Sequence, residues 1–367
     1  MKILVTGSNG FVGKNLLVYL REREDCEIVE FDKDNKFEEI ENQIDSIDFV
    51  FHLAGVNRPN SIDEFYQGNS DLTKSLINLL NQANKKIPFV YSSSIQADLN
   101  NDYGKSKKQA EDYIINNYEN SIIYRFHNVF GKWCKPNYNS VVATFCYNIA
   151  HHIPIEINDP NKELELVYID DICEEFIKLI DNKITIKNKE PNYIIKTIKI
   201  SLQSLAELIQ SFYDNTHSIY TPRTGDEFIK KLFATYISYV PLEEMVTSTK
   251  KNVDERGSFT ELVRTVDSGQ FSVSFSKPGI VRGNHYHNTK MERFIVIKGT
   301  AKISFKKVDS DEKIEFIVND EEIKVVTIPV GYTHNIENIG TDEMILFIWC
   351  NELFDLNHPD TYFMKVN

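Results

Sequence analysis

Three residues in the first third of the chain have the types and spacing needed to move a proton at a carbonyl oxygen. Tyr103 and Lys107 are four residues apart, so on a helix they share one face. A nearby ammonium group lowers the pKa of a phenol, which can then donate or accept a proton. Ser94 ends a strand-like run that begins at Phe89, and its hydroxyl can hydrogen-bond the same substrate oxygen. We predict Ser94, Tyr103 and Lys107 as catalytic residues; a surface tyrosine beside a lysine is the alternative.

A glycine-rich loop near the start of the chain could hold a dinucleotide. Its glycines recur at every third position, after a short apolar run and before residues with helical spacing. Glycines let the backbone turn sharply and approach a pyrophosphate, which then binds the N–H groups at the helix start. A glycine-rich turn without a ligand is the alternative. The residues predicted to contact the dinucleotide are Gly7, Gly10, Phe11, Val12 and Gly13.

Two adjacent charges at the end of the second predicted strand bear on the choice of coenzyme. Asp32 is placed like the acid that binds the ribose 2′-hydroxyl of NAD, whereas Lys33 is placed like the cation that accommodates the 2′-phosphate of NADP. A solvated loop charge explains Lys33 equally well. We include both residues among the coenzyme contacts, and the sequence leaves the choice between NADPH and NADH open.

A second group of chemically capable residues lies in the last quarter of the chain. His285 and His287 are two residues apart and point to the same side of a strand, and Glu292 and His334 follow. Imidazole nitrogen and carboxylate oxygen suit Zn²⁺, Fe²⁺ or Mn²⁺. These residues predict a metal site, either closed by four protein ligands or open to a substrate. A site without metal and a purely structural metal are the alternatives.

The elements that must position the first group alternate between strand-like and helix-like patterns. Such alternation is typical of an α/β protein with a doubly wound parallel sheet of the Rossmann type, covered by helices on both faces. The predicted strands are residues 2–6, 27–31, 49–53, 89–92 and 121–124, and the first predicted helix is residues 11–21.

The second group lies in a region of different character. After about residue 250, short β-branched or aromatic segments follow one another between turn residues, which indicates an all-β barrel or sandwich. The change near residues 247–252 divides the chain into a coenzyme- and substrate-binding domain, 1–248, and a metal-binding domain, 249–367. The predicted strands here are residues 270–276, 293–297, 301–305, 322–328 and 344–349.

Composition narrows the classes of partner. The chain has 367 residues and a net charge of −13, which disfavours nucleic acid and anionic membranes as partners. No apolar run reaches the ~18 residues that span a bilayer, and the N-terminal apolar run is too short for a signal peptide, so we expect a cytoplasmic protein. The five cysteines form no CxxC pair, which disfavours disulfides and a cysteine zinc site.

With its motifs in this order, the chain resembles the extended short-chain dehydrogenase/reductase family over roughly residues 1–245. Residues 52–55 are similar to that family's segment after the fourth strand, Asn69 to its proton-relay asparagine, and residues 125–131 to its R-x-x-N-V-Y-G substrate loop. Most of the family's extended branch acts on nucleotide sugars. The coenzyme contacts that the resemblance implies are Leu53, Ala54, Gly55, Asn69 and Lys107, and the implied substrate-loop residues are Arg125 and Asn128.

Two further observations limit the reaction class. The family's sugar-nucleotide dehydratases carry an Asp-Glu pair just after the catalytic hydroxyl residue, whereas Ile95 and Gln96 follow Ser94 here. This difference argues against dehydration and leaves carbonyl reduction or epimerisation. A bound sugar nucleotide also needs cations, although a solvated surface charge is the commoner role for each. The candidate clamps are Arg58, Arg125, Lys132, Lys135 and Arg223.

The histidine cluster lies within two cupin signatures, G-x5-H-x-H-x4-E-x6-G and P-x-G-x2-H-x3-N. The first runs from Gly279 to Gly299 and the second from Pro329 to Asn338; Ile323 stands where the family has another glycine. The chain therefore resembles a cupin barrel after residue 250. The resemblance implies that zinc or another divalent metal is held by His285, His287, Glu292 and His334.

End to end, the chain resembles the bifunctional capsular polysaccharide enzymes of UDP-N-acetyl-L-fucosamine synthesis, the CapF type, most closely in residues 129–140, 254–261 and 329–338. The resemblance implies C3 epimerisation of a UDP-2-acetamido-2,6-dideoxy-4-keto-hexose by the cupin. NADPH-dependent C4 reduction to UDP-N-acetyl-6-deoxy-L-talosamine would follow in the reductase domain. It also implies a homodimer. The C3 base is open, with Lys277, Tyr286 and Tyr332 as guesses.

Two other functions compete with this one. The first is a single-activity nucleotide-sugar 4-reductase or 4-epimerase with a structural cupin. The second is a dinucleotide-sensing module without catalysis, which the joint presence of Ser94, Tyr103 and Lys107 disfavours.

Overall fold

The computed structural model describes residues 1–182, 190–194 and 196–367. The chain forms two compact units. The first comprises Met1–Ile209 with Ala234–Val240, and the second comprises Gln210–Phe233 with Pro241–Asn367. Among the described residues, no helix is both long and apolar enough to cross a membrane.

The first unit is built on a parallel sheet. The strands of the first unit, over both of its sheets, are β1 (Lys2–Thr6), β2 (Glu27–Phe31), β3 (Phe49–His52), β4 (Phe89–Ser94), β5 (Ser121–Phe126), β6 (Asn128–Phe130), β7 (Glu163–Tyr168), β8 (Asn192–Tyr193) and β9 (Ile198–Ser201). The six-stranded sheet has the order β2-β1-β3-β4-β5-β8, with every pair parallel. A smaller sheet has the order β6-β7-β9.

Helices cover both faces of the six-stranded sheet. The helices of this unit are α1 (Phe11–Arg21), α2 (Glu38–Glu41), α3 (Ile62–Phe65), α4 (Leu72–Gln82), α5 (Asp102–Asn117), α6 (Val141–Ala150) and α7 (Ile169–Asp181). Because successive strand residues point to opposite faces, Ile3 and Val5 pack with α1 and α7, whereas Leu4 packs with α4 and α5. The predicted doubly wound sheet is thereby confirmed.

The strand order places the ends of β1 and β3 at a topological switch. The chain leaves β1 toward β2 on one side, whereas β3 and β4 lie on the other. In open parallel sheets such a switch opens a crevice at the carboxyl ends of the strands, where ligands bind. The glycine loop after β1, the end of β3 and Ser94 at the end of β4 all belong to this edge.

Two helices, α8 (Leu202–Thr216) and α9 (Glu227–Ile237), come after β9, and the rest of the chain is largely β. The strands of the second unit are β10 (Tyr220–Thr221), β11 (Lys251–Asp254), β12 (Gly257–Thr265), β13 (Gly269–Ser276), β14 (Val281–Tyr286), β15 (Glu292–Lys298), β16 (Thr300–Lys307), β17 (Lys313–Asn319), β18 (Val325–Ile328), β19 (Tyr332–Asn338), β20 (Met344–Cys350) and β21 (Tyr362–Phe363).

These strands form two sheets around an apolar core. One has the order β10-β12-β13-β20-β15-β18 with β11 added at β12, and the other has the order β17-β16-β19-β14-β21. The core includes Phe294, Val296, Ile303 and Leu346, so it draws on both sheets. The predicted all-β, cupin-like domain is confirmed. The strand predicted for residues 322–328 begins only at Val325.

Candidate functional site

A cleft of about 610 Å³ lies at the carboxyl edge of the six-stranded sheet. It is bounded by the glycine loop, the end of β3, the end of β4 and the first turns of α5. The structure thus brings together most of the residues that the sequence identifies separately. The predicted residues that line it are Gly7, Gly10, Phe11, Val12, Gly13, Leu53, Gly55, Ser94, Tyr103, Lys107 and Asn128.

The glycine loop is packed too tightly for side chains. Gly7 has a φ of +69°, and a Cβ there would lie 2.7 Å from the Cα of Ala54. A Cβ on Gly13 would lie 2.2 Å from the carbonyl oxygen of Gly7. Gly10 is the N-cap of α1 and offers no capping side chain, which leaves N–H groups of the first turn for a ligand.

Asp32 lies beside the glycine loop and helps to hold it. Its Oδ2 accepts a hydrogen bond from the N–H of Asn9 at 2.7 Å, and its Oδ1 accepts one from the N–H of Lys33 at 2.8 Å. Lys33 is exposed. Neither Asp32 nor Lys33 is among the residues that line the cleft.

The three predicted catalytic residues meet at the end of β4. Burial raises the pKa of Tyr103 above its ordinary value, and a hydrogen bond with Ser94 lowers it only in part. The Nζ of Lys107 donates to the carbonyl of Ser92 at 2.9 Å. Burial lowers the pKa of Lys107 to about 8, while the charge of Glu111 raises it. Burial therefore outweighs the lowering of the Tyr103 pKa that the tyrosine–lysine spacing predicts.

Asn69 holds the loop beside Lys107. Its side chain accepts from the N–H of Val56 at 2.9 Å and donates to the carbonyl of the same residue at 3.0 Å. It also donates to the hydroxyl of Ser106 at 2.9 Å. Asn69 is fully buried and lies in a wide π-helical turn, Tyr66–Asp71, between α3 and α4. Its contacts support the loop that lines the cleft at Gly55.

Arg125 does not line the cleft. Its Nε and one terminal nitrogen donate to the two carboxylate oxygens of Glu111 at 2.8 and 2.6 Å, and its other terminal nitrogen donates to Asp98 at 2.7 Å. The Ser93 hydroxyl also donates to Glu111 at 2.5 Å. Because carboxylates satisfy the buried guanidinium, we replace the substrate contact predicted for Arg125 with a structural ion pair behind Lys107.

The other predicted clamps fall into different places. The Nζ of Lys132 pairs with Asp170 at 2.7 Å. Arg223 belongs to the second unit, where it pairs with Asp267 at 3.5 Å. Lys135 lines the cleft, with its Nζ 4.9 Å from the centroid of the Tyr138 ring.

Arg58 also lies over the ring of Tyr138, and it lines a neighbouring pocket of about 680 Å³. Its guanidinium carbon is 5.4 Å from the centroid of the Tyr138 ring. Tyr138, Asn139 and Ser140 line both this pocket and the cleft, so the two are adjacent.

Sequence reasoning missed His127 as a cleft residue. It lies between Phe126 and Asn128 at the end of β5, and its Nδ1 is 3.5 Å from a carboxylate oxygen of Glu165 on β7. The available signal was its place in the R-x-x-N segment, where it occupies a position that the motif leaves unspecified.

The four predicted metal ligands come together in the second unit. One potential ligand atom from each of His285, His287, Glu292 and His334 lies within 4.8 Å of every other. An oxygen of Glu292 is 3.2 Å from the Nε2 of His334 and 3.5 Å from the Nε2 of His287. They come from β14, the residue that follows it, the first residue of β15, and β19.

The protonation of this cluster suits a divalent cation. Burial lowers the pKa of His285 to about 4, which keeps its imidazole neutral. Burial opposes ionisation of Glu292, but the imidazoles of His287 and His334 hold its pKa below the ordinary value. Within the described part of the chain, the buried Nε2 of His287 and Nδ1 of His334 have no hydrogen-bond partner. Neutral imidazoles and one carboxylate fit zinc or a similar metal.

The three guesses for the C3 base have other contacts. The Nζ of Lys277 donates to the carbonyl of Glu255 at 2.9 Å. Tyr286 stacks on Tyr362 with ring centroids 5.3 Å apart. Tyr332 lines an apolar groove of the same unit.

Two family models match the chain. The NAD dependent epimerase/dehydratase family matches residues 3–195, and the polysaccharide biosynthesis C-terminal domain matches residues 252–362. The first match covers the whole predicted catalytic set, and the second covers all four predicted metal ligands.

The chain is also similar to proteins with a described function or structure. It is 43% identical to a UDP-2-acetamido-2,6-beta-L-arabino-hexul-4-ose reductase of Pseudomonas aeruginosa, with 100% of this chain and 99% of that protein covered. The capsular polysaccharide assembling protein CapF from Staphylococcus aureus is 45% identical over 100% of both chains, with a TM-score of 0.89.

A more distant structure shares only the fold. It is UDP-glucuronic acid 4-epimerase from Bacillus cereus, 18% identical with a TM-score of 0.56, covering 65% of this chain and 98% of that one.

Proposed function

Because the chain belongs to the NAD-dependent epimerase/dehydratase family, we propose that it is a bifunctional enzyme acting on a UDP-linked 4-keto-6-deoxy amino sugar. Residues 249–367 epimerise C3 of a UDP-2-acetamido-2,6-dideoxy-4-keto-hexose. Residues 1–248 then reduce the C4 ketone to give UDP-N-acetyl-6-deoxy-L-talosamine, a precursor for a surface polysaccharide. The observation that carries the reductase is the meeting of Ser94, Tyr103 and Lys107 in the cleft beside the glycine loop.

The reductase residues divide the work at the C4 oxygen. NADPH, when bound at the glycine loop, supplies the hydride. Tyr103 donates its hydroxyl proton to the C4 oxygen, and Ser94 hydrogen-bonds the same oxygen and orients it. Lys107 stabilises the tyrosinate that remains, because it is buried and lies on the same face of α5 as Tyr103. Loss of one proton from Tyr103 balances the gain of one hydride by the carbonyl carbon.

The charge near the cleft supports a sugar nucleotide with NADPH. Lys135 and Arg58 flank Tyr138 between the cleft and its neighbouring pocket, and we assign them to the diphosphate. Asn128 lines the cleft and contacts the sugar. Lys33, exposed next to Asp32, is available for the 2′-phosphate of NADPH. These few cations act locally against a net charge of −13.

The metal of the proposal is zinc or another divalent cation held by His285, His287, Glu292 and His334. Such an ion acts as a Lewis acid that makes the hydrogen on C3, next to the ketone, more acidic. The ligands come from β14, the residue that follows it, β15 and β19, so paired strands of the barrel hold their backbone positions.

A second candidate is a single-activity 4-reductase whose metal only stabilises the barrel. The burial of two ligands favours it, since His287 and His334 are 2% and 0% exposed and leave little room for a sugar. His285 is the most exposed of the three histidines, and the proposal requires substrate to approach on its side.

The proposal includes a cytoplasmic homodimer. The second unit has an apolar groove of about 760 Å³ between β17 and β18, which are the edge strands of the two sheets. Phe316, Ile317 and Val325 are about half exposed or more along these edges. Exposed apolar edge strands are a common pairing surface between subunits, so we expect the dimer to cover this groove.

The proposal is tested by identifying the product. The 4-keto UDP-sugar is incubated with NADPH in deuterated water, and the product is analysed by mass spectrometry and NMR. We expect one deuterium at C3 and a reduced C4. Reduction without deuterium at C3, unchanged after removal of metal by a chelator, would support the single-activity candidate and contradict the bifunctional one.

A further inference from the structure

The segment of residues 359–366 runs beside the histidine cluster and contacts it at several points. Within it, β21 pairs antiparallel with β14, which places Phe363 opposite the ligand His285. The carbonyl of Met364 accepts a hydrogen bond from the hydroxyl of Thr333, the residue before the fourth ligand. Val366 is fully buried, which anchors the end of the segment in the unit.

Asp360 makes the most direct of these contacts. Its backbone carbonyl accepts a hydrogen bond from the Nδ1 of His287 at 2.5 Å. A histidine that donates from Nδ1 has its lone pair on Nε2, which is the nitrogen that faces Glu292 here. Such partners of metal-bound histidines fix the tautomer and the ring orientation.

The carboxylate of Asp360 holds the loop that joins two ligands. It accepts hydrogen bonds from the N–H groups of Asn288, Thr289 and Lys290 at 3.0, 2.8 and 2.8 Å. These residues lie between His287 and Glu292 in the chain. The Nζ of Lys290 returns the contact by donating to the carbonyl of Pro359 at 3.0 Å.

The backbone at Asp360 is also unusual. Its φ is +37°, a region that residues with a Cβ rarely adopt. Such a conformation persists only where the surroundings over-determine it. Here Asp360 is held at two points. Its carbonyl bonds to the predicted ligand His287, and its carboxylate bonds to the loop of residues 288–290.

From these contacts we propose that Asp360 is a positioning residue for the metal site, and that metal binding and docking of the 359–366 segment stabilise each other. The inference rests on the metal site of the proposed function. Undocking the segment removes the partner of His287 and releases the 288–290 loop, so the ligands lose their arrangement. Because coupling between two binding events is reciprocal, metal binding must hold the segment in place to the same degree.

The test compares metal affinity in the wild-type protein and three full-length variants, measured by zinc competition with a chromophoric chelator. Asp360→Ala removes the carboxylate, whereas Asp360→Asn keeps an acceptor and a side chain that tolerates a positive φ. Asp320→Asn is the matched control, since Asp320 likewise accepts a backbone N–H, from Gly299 at 3.0 Å, at another turn of the barrel. Changes to the partners of metal ligands typically weaken metal binding by about 10- to 100-fold.

We expect Asp360→Ala to weaken zinc binding by about 10- to 100-fold, Asp360→Asn to weaken it less, and Asp320→Asn to leave it unchanged. In the wild-type protein, zinc should slow amide hydrogen exchange at residues 288–290 and 360–366. Equal zinc affinity in all folded variants, or exchange at these residues that zinc does not change, would overturn the proposal. A wild-type protein that binds no metal would instead contradict the metal site itself.

Discussion

A single added methyl group at Gly55 should impair the reductase without replacing a catalytic residue. A Cβ built on Gly55 lies 2.9 Å from the Oδ1 of Asn69 and 2.9 Å from the Nζ of Lys107. Gly55 has no left-handed φ, so Gly55→Ala is a steric change alone. Asn69 is held by its bonds to Val56 and Ser106, which makes Lys107 the side chain that must give way.

The size of the effect follows from the bond that Lys107 would lose. Its ammonium donates to the carbonyl of Ser92 at 2.9 Å, and a displacement that relieves the contact with the methyl group weakens this bond. Hydrogen bonds to charged groups contribute about 1.5–3 kcal/mol, which corresponds to about 10- to 150-fold in a rate constant. We expect kcat/KM for C4 reduction to fall by that factor.

The assay follows NADPH oxidation with the 4-keto UDP-sugar, and deuterium uptake at C3 is measured on the same samples. Gly225→Ala is the matched control, because a Cβ at this exposed glycine meets nothing within 4 Å. Deuterium uptake should be unchanged in both variants. The reasoning is refuted if Gly55→Ala reduces C4 as fast as Gly225→Ala does.

Two further predictions follow from the charges at each site. Burial lowers the pKa of Lys107 to about 8, and the charge of Glu111 opposes that lowering. The value of kcat/KM for reduction should therefore decline above pH about 8, and Glu111→Gln should move that decline to lower pH. The control is Glu175→Gln, which removes a carboxylate that accepts a hydrogen bond from Tyr124 and should leave the pH dependence of kcat/KM unchanged. If both variants shifted the pH dependence equally, the role of Glu111 would be contradicted. In the metal-free protein the pKa of His285 falls from 6.5 to about 4 on folding, so the unfolded chain binds more protons between these values. Stability of the metal-free protein should therefore fall as pH drops from 6.5 toward 4, measured by thermal unfolding, and zinc should raise the midpoint; a midpoint independent of both pH and zinc would count against the cluster as a metal site.

Local sequence pattern predicts much of the fold because the decisive features are local. The apolar run of β1, the glycines that follow it and the helical spacing of α1 lie within residues 2–21, and each agrees with its neighbours. The histidine cluster is predictable for the same reason, since three of its four ligands lie within eight residues.

The features that sequence reasoning missed join distant parts of the chain. Arg125 carries a family motif, yet its partner Glu111 is on α5 and is brought to it only by the packing of α5 on the sheet. The same holds for Asp360, which is 73 residues from His287 in the chain. Burial is equally invisible in sequence, which is why the spacing of Tyr103 and Lys107 predicts a lowered pKa where the structure raises it.

The central claim is that one chain performs two separable reactions on one sugar. It is tested most directly by Tyr103→Phe incubated with the 4-keto UDP-sugar and NADPH in deuterated water, with folding checked by circular dichroism. The account predicts that C4 reduction is abolished, because the proton donor is missing, while deuterium still enters at C3. Continued reduction, or the loss of both activities in a folded protein, would contradict it.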